Sequence, residues 1–156
     1  MDGKRILTVD DEPDVLQMLE DEILAACPNC RIDKATSYGE AMDMMLLWTY
    51  DVVVLDIMGV RGFDLLRLAV TRKFPVAMLT AHALSLEALK RSFDSKARAY
   101  LPREKLGEIV PFLEDVLSHD YLPAWKQLLE KLSGFFDTHF GVDWRDKAGL
   151  DWENRE

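Results

Sequence analysis

Basic residues are in short supply: 19 lysines and arginines face 28 aspartates and glutamates, for a formal net charge of −9. So acidic a chain has no general affinity for nucleic acid phosphates or anionic lipid, and neither DNA nor a membrane is expected as a partner. No apolar run is long enough to cross a bilayer. The first residues, MDGKR, lead straight into a strand-like run and not into a signal peptide; the cytoplasm is the expected location. Histidine is limited to His82, His119 and His139, and cysteine to Cys27 and Cys30. A zinc site built on this Cys-x-x-Cys pair would need further ligands, and the histidines lie far off in sequence. A redox pair usually opens a helix. This one closes an apolar helical stretch ahead of a strand, where the helix dipole disfavours a thiolate. The pair therefore reads as a helix-to-strand turn.

Acid, by contrast, is concentrated in an odd place. In ILTVDDEPDVL, residues 6–16, an apolar run stops at Asp10, and Asp11, Glu12 and Asp14 follow at once. Carboxylates this close resist ionising beside one another, so either water solvates them or a cation belongs there. Asp11 or Glu12 could also cap a helix ahead of Pro13.

The 156 residues are enough for one domain with an appendage. Residues 5–9 read as a strand, and Pro13 suits the first turn of a helix whose apolar stripe is Val15, Leu16, Leu19, Ile23 and Leu24. Further strands are expected at 31–35, 52–55, 75–79 and 97–101. The uninterrupted run Val52-Val53-Val54-Leu55 has the look of a strand buried on both faces. Between these lie a helix opened by the capping box Ser37–Glu40, a helix from Phe63 to Val70 and another from Leu84 to Phe93. A last stripe runs from Leu106 to Leu117, kinked or started late at Pro111.

Strict βα alternation over residues 5–118 implies a doubly wound parallel sheet covered by helices on both faces. In such sheets the functional crevice lies beyond the carboxyl ends of the strands. Asp10 and Asp11 follow the first strand, Asp56 ends the third, Thr80 the fourth, and Pro102-Arg103-Glu104-Lys105 follow the fifth. Clustered carboxylates call for a hard divalent cation, Mg²⁺ first among them. A strand-tip aspartate beside Mg²⁺ can act as a nucleophile toward a phosphoryl group, with the hydroxyl and the cation binding its oxygens.

Taken together, VDDEPD, LDIM around Asp56, LTA around Thr80 and AYL ahead of Arg103 resemble the receiver domain of bacterial two-component response regulators. The resemblance covers about residues 1–118 and implies a five-stranded sheet of order 2-1-3-4-5. It also implies the site roles. Asp56 matches the phosphoacceptor, served by a histidine kinase or phosphotransfer protein. Asp11 matches the direct Mg²⁺ ligand, Asp10 its water-mediated companion, and the Met58 backbone carbonyl a further ligand. Thr80 matches the switch hydroxyl, and Tyr100 the aromatic that rotates inward with it. Only Mg²⁺-dependent self-phosphorylation and autodephosphorylation on Asp56 are expected, not turnover of an external substrate.

The sequence departs from the family pattern in places. Arg103-Glu104 stands where Lys-Pro is usual, with Lys105 as an alternative cation. The loop Met58-Gly59-Val60-Arg61-Gly62 is shortened, and Lys96 holds a position commonly glycine. His82, where family members vary, reads as an exposed loop residue. These departures keep a rival open: a receiver-like interaction module that is never phosphorylated. An aspartyl-nucleophile phosphatase is weaker, because Met58 stands where its second acid would be.

Residues 119–156 form an extension carrying five basic and eight acidic residues, again unsuited to DNA. From Pro123 the residues Trp125, Leu128, Leu129, Leu132, Phe135, Phe136 and Phe140 recur at helical spacing until Gly141, giving an amphipathic helix at about 123–140. So aromatic a stripe must be buried, against its own receiver, in a homodimer or on a downstream protein target. The tail beyond is polar, with Trp144 and Trp152 able to dock.

Overall fold

The apolar runs become strands β1 (Arg5–Val9), β2 (Arg31–Ala35), β3 (Val52–Asp56), β4 (Val76–Thr80) and β5 (Ala99–Pro102). All pair in parallel, in the order β2-β1-β3-β4-β5. This computed structural model describes residues 2–80 and 85–144. The helices are α1 (Pro13–Ala26), α2 (Tyr38–Leu47), α3 (Gly62–Thr71), α4 (Leu86–Asp94), α5 (Ile109–Ser118) and α6 (Tyr121–Phe140). Every residue of β3 and β4 is buried, as their unbroken apolar runs require of central parallel strands. At the sheet edge, β2 has polar residues exposed or half-buried.

Local chemistry accounts for the boundaries. Pro13 opens α1, where its missing N–H costs nothing. The Ser37 hydroxyl accepts from the Glu40 N–H at 3.2 Å, and the Glu40 carboxylate reaches back to Ser37 and Thr36, closing the capping box. The stripe from Leu106 starts as a 3₁₀ segment, Arg103–Glu108, and turns α-helical only at Ile109. Pro111 then sits in the first turn, where a proline is tolerated. Lys96, in the position commonly glycine, adopts φ +73° in the turn before β5, with its ammonium 4.6 Å from the Tyr121 ring centroid.

Cys27 and Cys30 do lie in a helix-to-strand turn, since Cys27 caps α1 and β2 begins at Arg31. The turn does more than expected, because the two sulfurs are joined as a disulfide. The Cys30 N–H donates to the Cys27 carbonyl and brings the Cα atoms to 5.6 Å, within bridging range.

The aromatic stripe of α6 is buried within its own chain. Helix α6 packs on α5 and β5. It starts at Tyr121, two residues before the expected Pro123, with Asp120 in the N-cap position. Trp125, 0% exposed, meets Phe93 of α4 edge to face at 5.1 Å and donates its indole N–H to the Ala97 carbonyl at 2.6 Å. The Tyr121 hydroxyl donates to the Phe93 carbonyl. Arg98 donates to the Val116 and His119 carbonyls and so fixes the α5–α6 junction. Trp144 is buried against Phe136 and donates to Asp137. Trp152 lies outside the described residues. Among the described residues, no helix is long and apolar enough to cross a membrane.

Candidate functional site

Strand register assembles the site. Val9 pairs with Leu55, so the next residues, Asp10 and Asp56, emerge side by side at the carboxyl end of the sheet. Asp56 pairs with Leu79, which puts Thr80 one residue further along the same edge. Asp10, Asp11 and Asp56 each offer a carboxylate oxygen, and these lie within 4.8 Å of one another. Asp10 and Asp56 are buried and Asp11 is exposed, so the cluster opens to solvent on one side. Hard oxygen donors with room for water suit a small divalent cation.

The short loop after β3 closes over this cluster on two glycines. Gly59 has φ +83°, and a Cβ there would lie 2.4 Å from an Asp11 carboxylate oxygen. A Cβ on Gly62 would meet the Asp56 carbonyl oxygen at 2.1 Å. The Met58 N–H donates to the Asp56 carboxylate. Were this cluster to hold Mg²⁺, Gly59→Ala would displace the Asp11 carboxylate and weaken binding about tenfold or more, read by calorimetric titration. Unchanged affinity would mean that Asp11 takes no part in holding the ion.

The electrostatics follow from burial. Asp56 is pushed up to about 7, first by loss of water and then by the charges of Asp10 and Asp11; Arg103 and the Met58 N–H pull the other way. Asp10 is also raised, chiefly by burial. The three carboxylates thus hold more negative charge than the pocket can comfortably ionise by itself.

Of the two candidate cations, Arg103 enters the pocket. Its guanidinium contacts Asp10 at 3.4 Å and Glu12 at 3.0 Å, and its buried Nε–H has no hydrogen-bond partner among the described residues. Lys105 lies in the 3₁₀ segment, pairs with Glu108 at 3.5 Å and sits over the Phe135 ring. Glu12 is the residue whose role the sequence concealed. It occupies the N-cap position of α1 but makes no side-chain capping bond, and spends its carboxylate on Arg103, 91 residues away. Only a fold that returns β5 beside β4 could reveal that pair.

Thr80 and Tyr100 are both fully buried, and the Thr80 hydroxyl is hydrogen-bonded to the Tyr100 oxygen. That oxygen also accepts from the Ser85 N–H at 3.1 Å, at the N-cap of α4. Burial pushes the phenol up to about 12, so it stays protonated. His82 lies outside the described residues.

A family model described as the response regulator receiver domain matches residues 6–110. No curated protein sequence matches the chain. Among solved structures, a protein of Chloroflexus aurantiacus J-10-fl described as a response regulator is 26% identical, with TM-score 0.65 over 74% of this chain and 98% of that one. A CheY-like receiver domain protein of Methanospirillum hungatei JF-1 is 25% identical, with TM-score 0.60 over 72% and 95%. A response regulator of Thermotoga maritima, at 17% identity, shares the fold with TM-score 0.66 over 74% and 98%.

Proposed function

The chain belongs to the response regulator receiver domain family, and from that premise we propose that Asp56 is its phosphoacceptor in two-component signal transduction. One observation carries the reading: three carboxylates converge at the strand ends beside a guanidinium that still has a buried donor to give. In the proposed reaction an ionised Asp56 oxygen attacks the phosphorus of a phosphohistidine on a histidine kinase or phosphotransfer protein. The P–N bond breaks, its electron pair stays with the imidazole, and an acyl phosphate forms on Asp56. The Arg103 Nε–H and the Thr80 hydroxyl then donate to the phosphoryl oxygens. Asp10, Asp11, Asp56 and the Met58 carbonyl are the groups assigned to Mg²⁺, which supplies charge neutralisation when bound.

The proposed units are a receiver at 1–118 and an extension at 119–156, acting in the cytoplasm through protein contacts and without DNA. A homodimer through α6 would need its buried stripe released, so that stripe is assigned to the chain's own receiver. The rival, a receiver-like module never phosphorylated, draws its support from the Asp10–Arg103–Glu12 contacts that already supply the pocket with a cation. The test is a small acyl phosphate donor with Mg²⁺, followed by intact mass. One phosphoryl group should be gained by the native protein and none by Asp56→Asn. No uptake, together with no response to beryllium fluoride, would establish the rival; sustained turnover of phosphate esters would point to a phosphatase.

A further inference from the structure

The face formed by α4, β5 and α5 carries Tyr100, and α6 lies on it. The Phe136 ring of α6 is fully buried, with its centroid 6.4 Å from that of Tyr100. Behind Phe136 stand Phe140 at 5.7 Å and Trp144 at 5.2 Å, which back the contact with a second layer of rings. Trp125, anchored to Ala97 and Phe93, holds the other end of α6 in place. Tyr100 is thus enclosed by α6, and its oxygen is engaged by Ser85 at the N-cap of α4 and by Thr80 at the end of β4.

We propose that α6 is a built-in ligand of the switch: by packing Phe136 on Tyr100 it holds that ring inward and so pre-organises Thr80 for a phosphoryl group on Asp56. The inference rests on the assignment of Asp56 as phosphoacceptor. Physically, a ring free to leave its buried position divides the unmodified protein between two arrangements, and a ligand that needs one of them binds more weakly by the fraction in the other. With α6 docked, that division is removed in advance. Arrival of the phosphoryl group then asks only for the Thr80 hydroxyl to turn from the Tyr100 oxygen to a phosphoryl oxygen, while Ser85 keeps Tyr100 in place. By linkage, occupancy of the phosphoryl site must in turn tighten α6.

The experiment uses the full chain with Mg²⁺ and beryllium fluoride as the phosphoryl mimic. Hydrogen exchange in α6 should slow when the mimic binds. Phe136→Ala should weaken the mimic about fivefold or more, in the usual range of coupling between sites, with Mg²⁺ affinity unchanged. In a Tyr100→Ala background, Phe136→Ala should cause no further loss. Leu19→Ala, which removes a buried side chain under α1, should lower stability without moving the affinity for the mimic. If Phe136→Ala does not fold, Phe136→Leu decides, with a smaller loss in the same direction. Native-strength binding in the Phe136 variant, additive losses in the double variant, or faster exchange in α6 would each overturn the proposal. A native protein that fails to bind the mimic at all would instead overturn the phosphoacceptor assignment.

Discussion

In the absence of Mg²⁺, Asp56→Asn should stabilise the fold at pH 8 by about 2–4 kcal/mol and change it little at pH 4. The expectation follows from the buried carboxylate. Asp56 holds its proton up to about pH 7 in the folded chain, against 3.8 for an ordinary aspartate. The folded state therefore binds this proton more tightly than the unfolded one. The stability so gained is fully present below about pH 4 and is lost as pH rises through about 7. Asparagine carries no charge at any of these values, so its advantage grows over that same window. Asp10 is raised as well and remains in the variant, which is why part of the pH dependence should survive the substitution. Urea unfolding from pH 4 to 8 in the presence of a chelator measures the difference. With Mg²⁺ held as proposed, saturating ion should then stabilise the native protein more than the variant, because the full cluster exists only in the folded native chain. A gap between the two proteins that does not vary with pH would mean that Asp56 is solvated and not buried among like charges.

The second large effect belongs to the extension. Trp125→Ala should remove about 3–5 kcal/mol of stability, as expected for a fully buried aromatic. Part of that loss is the Ala97 carbonyl left without its indole donor, about 1–3 kcal/mol for a buried acceptor. Trp125→Phe keeps most of the packing on Phe93 and should cost less, which separates the hydrogen bond from the ring. Because Trp125 anchors α6 to both α4 and the turn before β5, the variant should release α6 before the sheet melts. The denaturant slope should then fall along with the midpoint, since slope follows the surface exposed on unfolding. An unchanged midpoint would mean that α6 contributes nothing to the folded state.

The pattern of strands and helices was legible because each element answers to neighbours along the chain. Val52 to Leu55 must be a central strand, since only a strand covered on both faces buries such a run. Alternation then dictated a parallel sheet, and the crevice rule placed Asp10, Asp11, Asp56 and Thr80 at one end of it. Boundaries were less secure where local signals competed. The last helical stripe begins as the 3₁₀ segment Arg103–Glu108, which follows β5 directly, and becomes α-helical only at Ile109. The helix dipole and the distant histidines argue only against a reactive thiolate and a zinc site, so the Cys27–Cys30 bridge emerges only with the turn that brings the two residues together.

The sequence by itself determined the alternation, the burial of the central strands, the carboxylates at their ends and the existence of an aromatic helix that had to be covered. These follow from periodicity and from the restricted places where apolar residues and clustered acids can reside. Tertiary structure alone decided which cation serves the pocket, since Arg103 reaches Glu12 and Asp10 only after β5 joins the sheet and Lys105 is carried away on the 3₁₀ turn. It also decided what covers the aromatic stripe. Hydrophobic burial is non-directional, so a stripe specifies that a partner surface exists but not which one. The indole bond to Ala97 and the Phe136–Tyr100 contact are what direct α6 to this chain's own α4, β5 and α5.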